Sequence, residues 1–560
     1  MKKKLIPVAV AVGLIVLIVL ISLVTGILEK FSYSRERADL NEYFGIEGEE
    51  ETAIILNDTL AETKALYRDG QCYFPIDFVN ENINDHFYYD KTENLVLFTT
   101  DYDKVKTEIG STDYTFSDTF SSETYTLTLA ANDTAYLAAD FLKRFCGFSY
   151  EYCGNPNRVV VATTWEPEIH AQIKKDTQVR ILGGIKSEIL TDVEEGTDVE
   201  ILEEMETWSK VKTGDGYIGY VENKRLGSQS EMTPAEEVAS DITLPSYPSI
   251  QRDGKICLVW NMVTNTTANS LAGDLLANTQ GVTVISPTWF ALSDNAGNFT
   301  SLADTAYVQE MHNRGIEVWA LVDNFTNDVN TAEVLNVTSH RENLINQLLN
   351  MVAAYGIDGI NVDFEYVTQE AADGYIEFLR ELSIECRKRG IVLSADNSYL
   401  VNYDRAKQAE VVDYVIIMGY DEHVAASDGP GSAASIEFVQ KGIEKTVALV
   451  PEEKVINGIP FYTRLWTTTG DIGNTAYGMQ EIENYLSANG IEATWDDTTC
   501  QYVANFTVDG VGYAVWLEEK ESLGVKLNVM KQYNLAGVAA WRLGQEKADV
   551  WEEISQYLQQ

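Results

Sequence analysis

Residues 358–365 read Asp-Gly-Ile-Asn-Val-Asp-Phe-Glu, and their alternation of apolar and polar positions is that of a β-strand with two unlike faces. Asn361, Asp363 and Glu365 share one face, and Ile360, Val362 and Phe364 the other. Two adjacent carboxyls on an enclosed face cannot both ionise cheaply, so one keeps its proton toward neutral pH, as a general acid must. Glu365, at the end of the run, is the candidate acid and Asp363 its partner. A purely structural strand would carry Val, Ile and Leu at inward positions, so the acids point to chemistry. Asp358 has the opposite parity to Glu365 and reads as a cap or brace for the strand.

The elements around this run must form a frame that holds it. From residue 254 onward, apolar β-runs alternate with helical periods, the pattern of βα units on a parallel sheet. Strands are expected at 256–260, 282–286, 317–322, 359–364, 392–395, 414–418, 455–459 and 537–541. Eight units in roughly 300 residues predict a (β/α)8 TIM barrel, whose chemistry sits at the C-terminal ends of its strands. The largest insertion, residues 467–520, is expected to hold a helix over 479–488 and a hairpin ending at Trp516. Trp260 and Trp289 are equally readable as core residues, and His423 as a surface group.

The octet resembles the DxxDxDxE signature of the family-18 glycoside hydrolases, the chitinase-like family, with Asn361 where the family usually has aspartate. Its DGxNxDFE form is most similar to the branch containing bacterial spore-cortex and other peptidoglycan N-acetylglucosaminidases. Four other segments agree: Met418-Gly419-Tyr420-Asp421, Gly458-Ile459-Pro460-Phe461-Tyr462-Thr463-Arg464, Trp541 and Ser286-Pro287-Thr288-Trp289-Phe290. The resemblance implies substrate-assisted hydrolysis, with Glu365, Asp363 and Tyr420 as the catalytic set. Asn361, Asp421, Trp541, Trp289 and Arg464 would hold the glycan, Asp358 would support, and neither metal nor cofactor would be needed. The alternatives are a chitinase or endo-N-acetylglucosaminidase acting on another polymer, and an inactive glycan-binding lectin. Retention of Glu365 speaks against the lectin.

The preceding chain divides differently. Residues 45–165 read as a small α+β domain with strands at 53–56, 95–98 and 159–162 and helices at 75–79 and 134–142. It loosely resembles a copper amine oxidase N-terminal-like domain, which implies a spacer or wall-contact module. Five short strands with Gly and Asp turns over 169–227 predict a small β-barrel that resembles a bacterial SH3 domain, and 228–251 reads as a linker leading to the barrel at 252–560. At the start, Lys2, Lys3 and Lys4 precede an uncharged apolar run over 5–27, long enough for a bilayer span of about 20 residues. Residues 1–30 are therefore expected to be a membrane anchor with the rest extracytoplasmic, or secreted if the segment is cleaved. The chain has 86 acidic and 41 basic residues, a net charge of -45, which opposes nucleic-acid binding. The cysteines and histidines show no metal-ligand spacing, and pairing of Cys146 with Cys153 stays open.

Overall fold

Eight parallel strands close on themselves in the C-terminal part of the chain: β1 (Ile256–Asn261), β2 (Val284–Leu292), β3 (Glu317–Asp323), β4 (Gly359–Asp363), β5 (Val392–Ser398), β6 (Tyr414–Met418), β7 (Val455–Pro460) and β8 (Gly537–Trp541). Each pairs with its neighbours in sequence, and β8 also pairs with β1, so the sheet has no break. The computed structural model describes residues 5–243, 245–399, 401 and 403–559, without the side chains of 5–9, 23–24 and 26–29. The eight expected strands are the eight observed. β2 runs six residues past its expected end at 286, through a register shift between Thr288 and Phe290. The Pro287-Thr288 step hid this continuation, because proline ordinarily marks an edge or an end.

The outward face of β4 is apolar because helices cover it. Phe364 stacks on Phe378 of the helix Ala372–Arg389 at 5.7 Å between ring centroids. At the opposite end of the strand, Asp358 accepts from the Val318 N–H at 2.8 Å and lies 2.8 Å from His312 Nε2, bracing β4 against β3 and the helix Thr305–Asn313. After β7 the chain leaves the barrel. Tyr462–Thr467 joins an antiparallel five-stranded sheet with Gly473–Gly478, Val511–Leu517, Gln501–Val508 and Thr494–Asp496. The helix Met479–Ala488 packs Ile482 and Leu486 against Leu465, Ala504 and Val515 of this sheet, so the insertion has its own small core.

The chain divides into two compact units, one of Met1–Tyr89, Thr107–Tyr114 and Phe120–Leu244, the other of Asp90–Lys106, Thr115–Thr119 and Pro245–Gln560. The first unit holds two seven-stranded sheets. In one, Glu51–Leu56 lies between Arg158–Ala162 (parallel) and Thr59–Arg68 (antiparallel). The helix expected over 134–142 is instead the strand Thr134–Ala138 followed by a short helix, Ala139–Leu142. Leu137 pairs with Phe74 and Tyr136 with Pro75, and this stretch is buried on both faces, a situation in which periodicity cannot separate strand from helix. The other sheet contains the expected strands plus Glu168–Ile173 and Leu226–Met232. The latter extends into the expected linker. Its polar sequence carries no β signal, and it is held by backbone pairing with Glu168–Ile173. Phe44, Ile55, Val199 and Tyr217 share one apolar cluster, so the two sheets have a common core.

Leu5–Phe31 is a 27-residue helix, and Lys2–Lys4 lie outside the described residues. Among the described residues no helix is long and apolar enough to cross a membrane, so the anchor expectation finds no support in the fold. All six cysteines are unpaired, Cys146 and Cys153 among them.

The stacked pair on β4 yields a stability prediction. Phe378→Ala removes a fully buried ring and should destabilise the barrel by about 3–5 kcal/mol. The barrel's unfolding transition, followed in urea by circular dichroism, should move to lower denaturant.

Candidate active site

Along β4, Asn361, Asp363 and Glu365 climb the interior of the barrel toward its mouth, and each level is built differently. Asn361 is fully buried and saturated with hydrogen bonds. Its Oδ1 accepts from the Trp260 indole and the Ser286 hydroxyl, each at 3.0 Å, and its Nδ2 donates to Ser394 Oγ at 3.0 Å and Asp396 Oδ1 at 2.7 Å. One amide thereby ties β4 to β1, β2 and β5. One level up, Asp363 is 5% exposed, and burial pushes its carboxyl well above the ordinary range, helped by the charges of Asp396, Glu365 and Asp323. Glu365 lies two residues past the end of β4, half-buried at the mouth. Its backbone N–H donates to Asn324 Oδ1 at 3.1 Å, and Asn324 is itself anchored to Thr331 Oγ1 at 2.9 Å. Burial raises the Glu365 carboxyl too, followed by the charges of Asp421 and Asp323. The arrangement favours the protonated form of an acid beside an opening, which suits proton donation to an incoming oxygen.

Around this ladder the other strand ends supply a wall. Tyr420 packs edge-on against Trp260 at 6.4 Å and Tyr462 at 6.2 Å, and burial pushes its phenol well up. Trp541 closes β8 with its ring 6.0 Å from Trp260, and its peptide bond to Arg542 is cis. Asp421 has a positive φ of 63°, a left-handed backbone uncommon outside glycine, and its carboxylate is caught between the Arg464 guanidinium at 2.6 Å and the Tyr462 hydroxyl. On the rim, Phe325 and Tyr366 meet edge to face at 5.9 Å, yet they are 40% and 62% exposed. They leave two aromatic faces beside Glu365.

The structure thus brings together Asn361, Asp363, Glu365, Tyr420, Asp421, Arg464 and Trp541. It does not bring Trp289: that side chain is 1% exposed, donates its N–H to Asn269 Oδ1 at 2.9 Å and stacks edge-on against Tyr307, because the irregular register in β2 turns it into the core. Asp358 lies at the far end of β4 from Glu365, and His423 Nδ1 faces the backbone carbonyls of Asp428 and Gly429. Sequence reasoning missed Asp323, Asp396, Asn324, Tyr462 and the Phe325–Tyr366 pair. The signal for Asp396 was present, since Ser394 and Asp396 share the parity that makes a strand face polar. The strand runs on to Ser398, past the expected end at 395, and so includes Asp396.

The profile of the glycosyl hydrolases family 18 matches residues 260–546, that of the bacterial SH3 domain 172–227, and that of the copper amine oxidase N-terminal domain 55–161. YdhD of Bacillus subtilis (strain 168), whose name proposes a sporulation-specific glycosylase, is 30% identical over 275 residues, covering 45% of this chain and 64% of YdhD. The cortical fragment-lytic enzyme of the same organism is 27% identical over 237 residues, 40% of this chain and 54% of that protein. The chain therefore spans less than two thirds of the length of either relative. A solved C-terminal domain from Desulfitobacterium hafniense DCB-2 superposes with a TM-score of 0.50 at 20% identity, covering 55% of this chain and 100% of that domain, a likeness of fold.

The buried acids make a pH prediction. Burial raises the Asp396 carboxyl to about 8, whereas an unfolded aspartate titrates near ~3.9. Between those values the folded chain binds more protons than the unfolded one, so stability falls as pH rises through the window. Thermal unfolding of the wild type should show this decline from pH 4 to pH 8, and Asp396→Asn should flatten it.

Proposed function

We propose, for a chain that belongs to family 18 of the glycosyl hydrolases, that it cleaves β-1,4-linked N-acetylglucosamine in peptidoglycan with retention of configuration. The observation that carries this reading is the carboxyl pair at the end of β4: a half-buried Glu365 at the mouth, whose acid form burial favours, above a buried Asp363. Most retaining glycosidases place an enzyme carboxylate as nucleophile, and substrate-assisted enzymes are an exception in which the sugar's own 2-acetamido group attacks. Glu365 donates its proton to the leaving glycosidic oxygen while the acetamido carbonyl oxygen bonds to the anomeric carbon. Asp363 orients the acetamido N–H and balances the positive charge of the cyclic intermediate. Tyr420 donates to the acetamido oxygen, and Trp541, backed by Trp260, floors the methyl group and sugar face. Glu365 then takes a proton from the water that opens the intermediate.

The choice of peptidoglycan rests on company rather than on pocket geometry: the SH3-type match in the same chain and the cortical fragment-lytic relative. Phe325 and Tyr366 offer stacking faces to flanking sugars of any such glycan. An extracytoplasmic place of action follows from the lysine-flanked apolar run of the sequence and is part of the same proposal.

Two experiments test this reading. Glu365→Gln keeps shape and hydrogen bonding but cannot donate the proton, so turnover of N-acetylglucosamine oligomers and peptidoglycan should fall on the order of 10²–10⁴-fold with glycan binding retained. A thiazoline mimic of the intermediate should inhibit the wild type. Wild-type turnover in Glu365→Gln would remove the acid assignment, binding without cutting by the wild type would make the protein a lectin, and muropeptide mass spectrometry separates peptidoglycan from chitin as substrate. Secondly, in wall-stripped cells, residues after Lys30 should be cut by externally added protease, and a protected barrel would reverse the placement.

A further inference from the structure

The octet has an amide at Asn361, below the two acids, where a third carboxyl would have completed the ladder. The structure shows where a carboxyl reappears. β4 and β5 run in register, Asn361 opposite Ser394 and Val362 opposite Ala395, so the next level sets Asp363 opposite Asp396, about 4.8 Å away across the strand spacing. On the other side Asp323 is registered with Asp363. Asp396 is 1% exposed, its Oδ1 accepts from Asn361 Nδ2 at 2.7 Å, and its Oδ2, like Asp363 Oδ1, is buried with no hydrogen-bond partner among the described residues. Two buried carboxyl oxygens on neighbouring strands at one level, each otherwise unsatisfied, fit a single proton held between them.

We propose that Asp396 is the positioning residue that holds a shared proton with Asp363, the role of the absent third carboxyl having moved from β4 to β5. This rests on the substrate-assisted reading above. In the resting site the proton lies between Asp363 and Asp396, so the pair carries one negative charge. When the acetamido N–H arrives, the O–H bond on Asp363 breaks and one forms on Asp396, leaving Asp363 as the carboxylate that balances the intermediate; the reverse transfer restores the pair. The titratable groups around the Asp363–Asp396 pair are Glu365 beyond the end of β4, Asp323 from β3, and the phenols of Tyr375, Tyr403 and Tyr420, with the Asn361 amide and Trp260 indole as neutral donors. Above the pH at which the pair loses its proton, two negative charges face each other beneath Glu365, and turnover should fall.

The alternative is that Asp396 serves only as an acceptor for the Asn361 amide, a job that asparagine does as well through its side-chain carbonyl. Asp396→Asn therefore separates the two. With the full chain and soluble N-acetylglucosamine oligomers, Asp396→Asn should lower kcat about tenfold or more with little change in KM and displace the alkaline limb of the pH profile. Asn361→Asp combined with Asp396→Asn, which returns a carboxyl to the position below Asp363, should recover most of that loss. The infrared band of a protonated carboxyl at pH 7 should weaken in Asp396→Asn, a readout independent of turnover. A wild-type kcat and pH profile in Asp396→Asn, an unchanged band, or a loss that the double substitution leaves unrescued overturns the role of Asp396. If those results come with an inactive Glu365→Gln, only this inference falls; if Glu365→Gln is active, the functional reading falls first.

Discussion

Like charges that cannot be solvated govern this barrel. Asp323, Asp363 and Asp396 occupy one level on three adjacent strands, with Glu365 above them, and the enclosure that positions them also withholds the water that would let them all ionise. Everything nearby answers that constraint. Asn361 sits below Asp363, where a further charge would compound the repulsion, and its four hydrogen bonds go to Trp260, Ser286, Ser394 and Asp396. Because the burial that destabilises the charged forms also keeps protons in the site, the cost in stability and the capacity for acid catalysis are one property.

Closure of the sheet makes that enclosure possible. Inside a barrel of eight parallel strands a buried amide is cheap only when its partners reach across the lumen, and those of Asn361 come from β1, β2 and β5 together. Groups that can move or bind sit above this layer, on strand ends and loops: Glu365 and Tyr366 after β4, Phe325 after β3, Tyr420 and Asp421 after β6. The lower end of β4 is given to bracing, through Asp358 with His312 and the Val318 N–H. The single octet thus spans two tasks, stability at its first residue and chemistry at its last.

Much of this was legible in the sequence because strand alternation is strict. The parity of 358–365 was enough to place Asn361, Asp363 and Glu365 inside and Phe364 against a helix, and all eight strands were visible as apolar runs. What escaped notice depended on pairing across the chain. Asp396 matters only because β5 is registered with β4, and Trp289 is lost to the core only because β2 shifts register near it. The strand Thr134–Ala138 looked helical for the same reason: its identity is decided by Gln71–Pro75 beside it. Leu226–Met232 lacks any apolar pattern and is a strand through its backbone partners alone.

The excursion after β7 bears on how the fold can be recombined. Its first strand, Tyr462–Thr467, belongs to the inserted sheet, yet Tyr462 and Arg464 reach back to hold Asp421. The seam of the insertion as a piece of architecture therefore does not coincide with its seam as a piece of chemistry. A chimera that imports a foreign sheet at Pro460 discards both clamps on Asp421 along with the old scaffold. One spliced beyond Arg464 keeps them, so a few residues of breakpoint choice decide whether a transplanted lobe inherits a working mouth or an empty one.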